Sequence, residues 1–135
     1  PSTWPLPVWT PLPEGTIRDS AIVLLPDPPA GGWVLEALLR KKDARAEVGV
    51  SFPAAGKGWE IPLGGALLPA REGWTRLRLE VRPDGCRISL GSRTALSRPS
   101  SELGLEAWTT ATGPAGLSAW GGELEIREPR WRPLP

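Results

Sequence analysis

Residues 74–90, WTRLRLEVRPDGCRISL, alternate apolar and polar side chains almost without interruption. A period of two belongs to a strand, whose successive side chains point to opposite faces, and a helix cannot sort these residues that way. Thr75, Leu77, Leu79 and Val81 fall on one face, and Trp74, Arg76, Arg78 and Glu80 on the other. Pro-Asp-Gly at 83–85 is turn chemistry, after which Cys86, Ile88 and Leu90 resume the apolar face. The stretch reads as a hairpin with Val81 opposite Cys86, Glu80 opposite Arg87, Leu79 opposite Ile88 and Leu77 opposite Leu90. Its arginines then line one face of a ribbon. Any half-buried sheet needs such a wet face, and an exposed ion pair on it is worth at most about 1 kcal/mol. What carries functional content is narrower: Trp74 beside Arg76 and Arg78 sets an aromatic ring next to two guanidinium donors, suited to a ligand or a partner.

The same period recurs in short runs. Thr16 to Leu25 precedes the breaker PDPPAGG, and residues 33–40 follow with more apolar residues than alternation requires, so a helix at 33–42 competes with a strand there. In 44–52, Ala44, Ala46, Val48, Val50 and Phe52 share one face, and Arg45, Glu47, Gly49 and Ser51 the other. Trp59, Ile61 and Leu63 alternate with Glu60 and Pro62, the proline marking an edge strand or a strand end. Further strands fit 103–108, 116–119 and 123–127, with 17 prolines and 16 glycines to make the turns between them. A chain of 135 residues is the size of one domain. The expected fold is all-β, an antiparallel two-sheet β-sandwich over residues 16–128.

At the two ends the pattern gives way to proline. Residues 1–15 carry prolines at 1, 5, 7, 11 and 13 and read as an extended arm, too apolar at Trp4, Leu6, Val8, Trp9 and Leu12 to stay in water. Residues 129–135, PRWRPLP, read as an extended tail of the same character. Trp4, Trp9 and Trp131 are then contact anchors, laid either on the chain's own sheet edge or on a neighbouring molecule.

Sixteen basic against fifteen acidic residues leave a net charge of +1, so no global field attracts nucleic acid or an anionic membrane. The longest apolar run, Ala21 to Leu25, is far too short to span a bilayer, and no signal peptide is visible. A soluble protein is expected, cytoplasmic or virion-borne, and extracellular if the chain is cut from a secreted one. Cys86 is the single cysteine, so no intrachain disulfide forms, and its inward parity makes it a small core residue. Pro1 suits removal of an initiator methionine, and the bias toward Arg, Leu, Pro, Gly and Ala suits a GC-rich, heat-hardy source.

Two blocks, EGWTRLRLEVRPDGCRISLGS (72–92) and GPAGLSAWGGELEIREPRW (113–131), together resemble the concanavalin A-like jelly roll of laminin G-like and related domains. Gly73-Trp74, Asp84-Gly85, Gly116-Leu117 and Leu124 with Ile126 carry the likeness. It implies a jelly-roll sandwich in a superfamily whose members bind sugars, proteins or surfaces, include glycosidases, and occur as appendages on virion proteins. Fold alone does not choose among these.

The residues narrow the choice. Without histidine, a Ser-His-Asp or Cys-His set and a histidine-rich metal site are excluded, and no glycine-rich phosphate loop is present. Neither a cofactor nor a metal is expected; Asp19, Asp27 and Asp43 are scattered in turns. ELEIRE places Glu123, Glu125 and Glu128 in a spacing related to the E-x-D-x-x-E run of family sixteen glycosidases, but its central aspartate is replaced, and the glutamates also fit the solvent face opposite Leu124 and Ile126. Eight tryptophans are the main compositional oddity. Trp33 and Trp59 suit core packing, whereas Trp74, Trp108 and Trp120 are the candidates for an exposed binding surface.

Three functions follow in order. The first expectation is a non-catalytic interaction or assembly protein, such as a virion surface, decoration or appendage subunit that docks or self-assembles through its arms. The alternative is a carbohydrate-binding module, and the third is a glycoside hydrolase resting on ELEIRE alone.

Overall fold

The hairpin forms in the expected register. In the computed structural model, which describes residues 8–29, 31–54, 57–63, 68, 73–82, 85–99, 107–109 and 114–134, β6 (Thr75–Arg82) pairs antiparallel with β7 (Gly85–Leu90). Val81 faces Cys86, Glu80 faces Arg87, Leu79 faces Ile88 and Leu77 faces Leu90. All six apolar members are buried. A third strand, β8 (Arg93–Pro99), continues this meander, although its sequence carries no clear alternation.

Around it lie β1 (Thr10–Pro11), β2 (Gly15–Leu25), β3 (Trp33–Lys41), β4 (Glu47–Ala54), β5 (Lys57–Leu63), β9 (Ala107–Thr109) and β10 (Ala115–Pro133). Every pairing is antiparallel, in the order β8-β7-β6-β3-β10-β4-β5-β9, with β1 and β2 on the other side of β10. No helix long and apolar enough to cross a membrane occurs among the described residues.

β10 makes two layers of this sheet. Its first part pairs with β4 and with the end of β2, whereas from Leu124 onward it pairs with β3 and with the start of β2, then with β1. Between the two parts the register with β2 shifts, from Ala119 opposite Ser20 to Glu123 opposite Arg18. Gly121 takes φ 79° there, a left-handed conformation that glycine adopts without a Cβ penalty, and Asp19 on β2 takes φ 49°. The Asp19 Oδ1 accepts a hydrogen bond from Gly121 N at 2.8 Å. The β2/β10 ribbon thus turns a corner, and one core forms between the layers from Val48, Val50 and Phe52 on one side and Trp33, Leu35, Leu39, Leu77, Leu79 and Ile88 on the other. Asp19→Ala loses both the acceptor and a side chain that tolerates this backbone, at a cost of about 1–2 kcal/mol. Thermal unfolding should show a lowered midpoint for Asp19→Ala and a near-normal one for Asp19→Asn; equal midpoints for wild type and Asp19→Ala would remove the corner's significance.

Several local expectations are corrected. Residues 33–42 form a strand, not the competing helix, because β3 is central: β6 and β10 flank it, and Val34 and Glu36 on its outer face are buried as well as the inward residues. That two-sided burial is why its sequence runs apolar. Ala44 is exposed, since the chain turns at 43–46, where Ala46 N bonds to the Asp43 carbonyl at 3.0 Å, and β4 begins only at Glu47. The runs at 116–119 and 123–127 are one bent strand, because a double glycine across from a left-handed aspartate bends pairing without ending it. Residues 129–133, set apart as a tail, continue that strand: Arg130 pairs with Glu36 and Arg132 with Val34, and Pro129 sits in the register shift, where no ladder donor is needed. Of the run at 103–108, only residues 107–108 are described, in β9.

Candidate functional site

The outer face of the β6-β3-β10 layer bears the arginines that drew attention in the sequence. Trp74, Arg76 and Arg78 share this face, as their parity requires, but all three are engaged within the chain. The carboxylate of Glu36, on the central strand, accepts from Arg78 Nη1 at 2.6 Å, from Arg130 Nη2 at 2.9 Å and from Arg76 Nη1 at 3.5 Å. Arg78 Nε also donates to Glu80 at 2.7 Å. Burial pushes the Glu36 carboxyl up and is the largest single influence on it, but the hydrogen bonds and charges of Arg130 and Arg78 together outweigh it and hold the group below its ordinary value. The guanidinium of Arg78 is correspondingly raised: burial opposes its charge, and the bonds to Glu80 and Glu36 overcome that.

The tryptophans of this face are engaged too. The Arg40 and Arg127 guanidinium groups lie 4.7 and 4.6 Å from the centre of the Trp74 ring, and those of Arg130 and Arg132 lie 4.3 and 5.0 Å from that of Trp9. Trp131 points inward and packs on the core. The described part of the N-terminal arm therefore lies on the chain's own sheet, with Thr10 opposite Trp131 and Leu12 N bonded to the Pro129 carbonyl at 2.8 Å. Trp4 lies outside the described residues. Two of the ELEIRE glutamates are also committed: Glu125 takes Arg40 at 2.6 Å and Lys42 at 2.7 Å, and Glu123 lies 4.0 Å from Lys42, whereas Glu128 is held through its backbone N, which donates to the Glu14 carboxylate at 2.7 Å. A cleft of about 540 Å³ opens between Leu12, Glu14, Arg76 and Arg130, but both of its guanidinium groups already face Glu36.

The opposite face, over β5, β4 and the first part of β10, is different. Trp120 is 51% exposed, and among the described residues no guanidinium lies over it. Its cross-strand partner is Glu47. Two residues back on β10, and so on the same face, Ser118 pairs with Gly49, which pairs in turn with Pro62. Glu60 stands on the same side of β5. These residues line a depression of about 290 Å³, near the lower end of the roughly 300–1,000 Å³ typical of small-ligand sites. Ser118 is only 6% exposed, yet among the described residues its Oγ has no hydrogen-bond partner. Gly49 has no side chain to fill the space: a Cβ there would lie 2.9 Å from Ser118 Oγ and 3.3 Å from Glu60 Oε1. Neither Glu47 nor Glu60 has an ion-pair partner among the described residues.

Trp120 was thus legible in the sequence as an exposed aromatic, while Gly49, Glu60 and Ser118 were not singled out. Their signal was parity: each lies on the outward side of its strand. Trp108 lies in β9, beside β5 at the rim of the same layer. Among the described residues no cluster of three or more acidic or cysteine side chains offers a metal site.

No protein-family model matches the sequence, and no curated protein sequence matches it. Solved structures do resemble it in fold. The fructosyltransferase from A. japonicus superposes with a TM-score of 0.67 at 12% identity, over 95% of this chain and 26% of the enzyme. The β-fructofuranosidase of Aspergillus kawachii, complexed with glycerol, gives 0.59 at 13% identity, over 93% of this chain and 27% of that one. This chain therefore spans about a quarter of the length of those enzymes. The carbohydrate-binding module CBM66 from Bacillus subtilis matches over 98% of this chain and 99% of its own, with a TM-score of 0.56 at 14% identity. At such identities the likeness is one of fold, an all-β sandwich.

Proposed function

We propose that the protein is a non-catalytic carbohydrate-binding module whose ligand lies on the outer face of β4, β5 and the first part of β10. The observation that carries this reading is the exposed Trp120 ring beside a small depression holding Glu47, Glu60 and the unpartnered Ser118 hydroxyl. An aromatic face packs on the C–H face of a sugar ring, and oxygen acceptors around it take the ring's hydroxyl protons. Full-length likeness to a carbohydrate-binding module, and likeness to about a quarter of two sugar-processing enzymes, supports the same reading. An assembly subunit docking through free arms draws less support, because residues 9–14 and 129–134 lie against the chain's own sheet.

The names of those neighbours make fructose-containing saccharides the first to test. Affinity electrophoresis against inulin and a panel of neutral polysaccharides should show retardation of the wild-type protein. Trp120→Ala should weaken it by about tenfold or more, as expected for an aromatic anchor, while Trp74→Ala, which removes a ring already held by arginines, should bind normally. Retardation lost in Trp74→Ala and kept in Trp120→Ala would place the site on the other layer.

A further inference from the structure

We infer that the depression beside Trp120 selects uncharged sugars, read through their hydroxyl protons, and turns acidic polysaccharides away, with Ser118 as the residue that reads a hydroxyl from its floor. The inference rests on the carbohydrate-binding reading and names the class of sugar.

Charge gives the first half. Among the described residues the lining holds two carboxylates, Glu47 and Glu60, and no cation. Ionised carboxylates only accept hydrogen bonds, so they suit a ligand that brings donors. A sugar hydroxyl does so without charge. A uronate or sulfate brings a like charge and acceptors of its own, and faces two carboxylates with no guanidinium or ammonium to meet it. Arg76, Arg78 and Arg130, which form the densest group of guanidinium groups among the ion pairs, lie on the other layer and are directed at Glu36.

Ser118 gives the second half. A buried hydroxyl normally has a partner, and leaving one without is costly. Gly49 and Ala21 flank Ser118 across the sheet, and neither offers a side-chain partner. Space above Gly49 is bounded by the Ser118 and Glu60 oxygens together. A ligand hydroxyl resting on the bare Gly49 backbone faces both: it can donate to Glu60 and take part in a bond with Ser118, whose hydroxyl has no partner among the described residues. Trp120, on the same face, then supports the ring that carries this hydroxyl.

Calorimetric titration of the full chain with inulin, a neutral β-glucan and polygalacturonate tests this. Polygalacturonate should bind at least about tenfold more weakly than whichever neutral glycan binds best, with the gap narrowed in Glu60→Gln. Ser118→Ala should bind the neutral glycan about five- to tenfold more weakly while its unfolding midpoint stays level or rises, since an unsatisfied buried hydroxyl has been removed. A merely structural serine would move the midpoint and not the affinity. Gly49→Ala, whose Cβ meets side-chain atoms of Ser118 and Glu60 and no backbone among its nearest neighbours, should fold and lose binding. Equal affinity for polygalacturonate, wild-type affinity in both Ser118→Ala and Gly49→Ala, or abolition of binding by EDTA would overturn the inference. If none of the glycans binds, the carbohydrate-binding reading fails and takes this one with it.

Discussion

Gly116→Ala should unfold the protein or lower its stability by more than about 3 kcal/mol, a larger loss than a methyl group normally causes. Gly116 lies in β10 with Val23 of β2 on one side and Ser51 of β4 on the other. Just before it the register with β2 slips, from Ala115 opposite Leu25 to Gly116 opposite Val23. That bulge presses the β2 backbone onto the glycine. A Cβ at 116 would be driven into the Ile22 carbonyl oxygen, with the Ile22 carbonyl carbon at 3.1 Å and Val23 Cα at 3.2 Å behind it. All three obstacles are backbone, so no rotamer change relieves the clash. The end of β2 must lift, and with it Leu24 and Leu25, which are 2% and 4% exposed in the core. Uncovering two leucines costs about 1.5–3 kcal/mol each, less whatever the strand regains by relaxing. Gly15→Ala is the control, because nothing lies within 4 Å of the Cβ it would add, and it should stay within about 0.5 kcal/mol of wild type. Urea midpoints decide: a wild-type midpoint for Gly116→Ala would mean that β2 does not press on β10.

That glycine shows how far the sequence could be read. Gly116-Leu117 was visible as a strand start, and the 75–90 hairpin was read to the residue, because a two-residue period and a turn are local signals. The corner at Asp19 and Gly121 was not, since a double glycine normally marks a stop, and only pairing with a distant β2 turns it into a bend. The site divides in the same way. Trp120 was legible as a candidate exposed aromatic. Glu47, Gly49, Glu60 and Ser118 become neighbours only through the order β5-β4-β10, which joins segments far apart in the chain. Trp74 shows the converse: its outward parity was correct, but parity does not reveal that Arg40 and Arg127 lie over the ring.

Glu36 shows most plainly what the arginine face does. Glu36→Ala should cost about 2–3 kcal/mol at neutral pH, below the roughly 3–5 kcal/mol of a fully buried pair, because the guanidinium groups it leaves can turn to water. The carboxylate side chain is 9% exposed, against 33% for Arg78, 41% for Arg130 and 49% for Arg76. Removing it leaves three cations converging without their shared anion, although Arg78 keeps Glu80. Glu36→Gln preserves shape and one acceptor and should cost less. The pH dependence separates charge from packing. The Glu36 pKa is lowered from 4.5 on folding, so its contribution is fully present above about 4.5 and is lost as pH falls through the folded value. The Arg78 guanidinium is held above its ordinary value, so it stays charged and its contribution is constant throughout that range. Unfolding free energy measured from pH 7 to 2 should therefore fall more steeply below pH 4.5 in wild type than in Glu36→Gln, the two curves converging in acid. Parallel curves would mean that Glu36 acts by shape alone. If the curves converge, the arginines of this layer serve the fold, which is the plain reading of the alternation in residues 74–90, and the opposite layer differs in that Glu47 and Glu60 have no ion-pair partner and Ser118 Oγ no hydrogen-bond partner among the described residues.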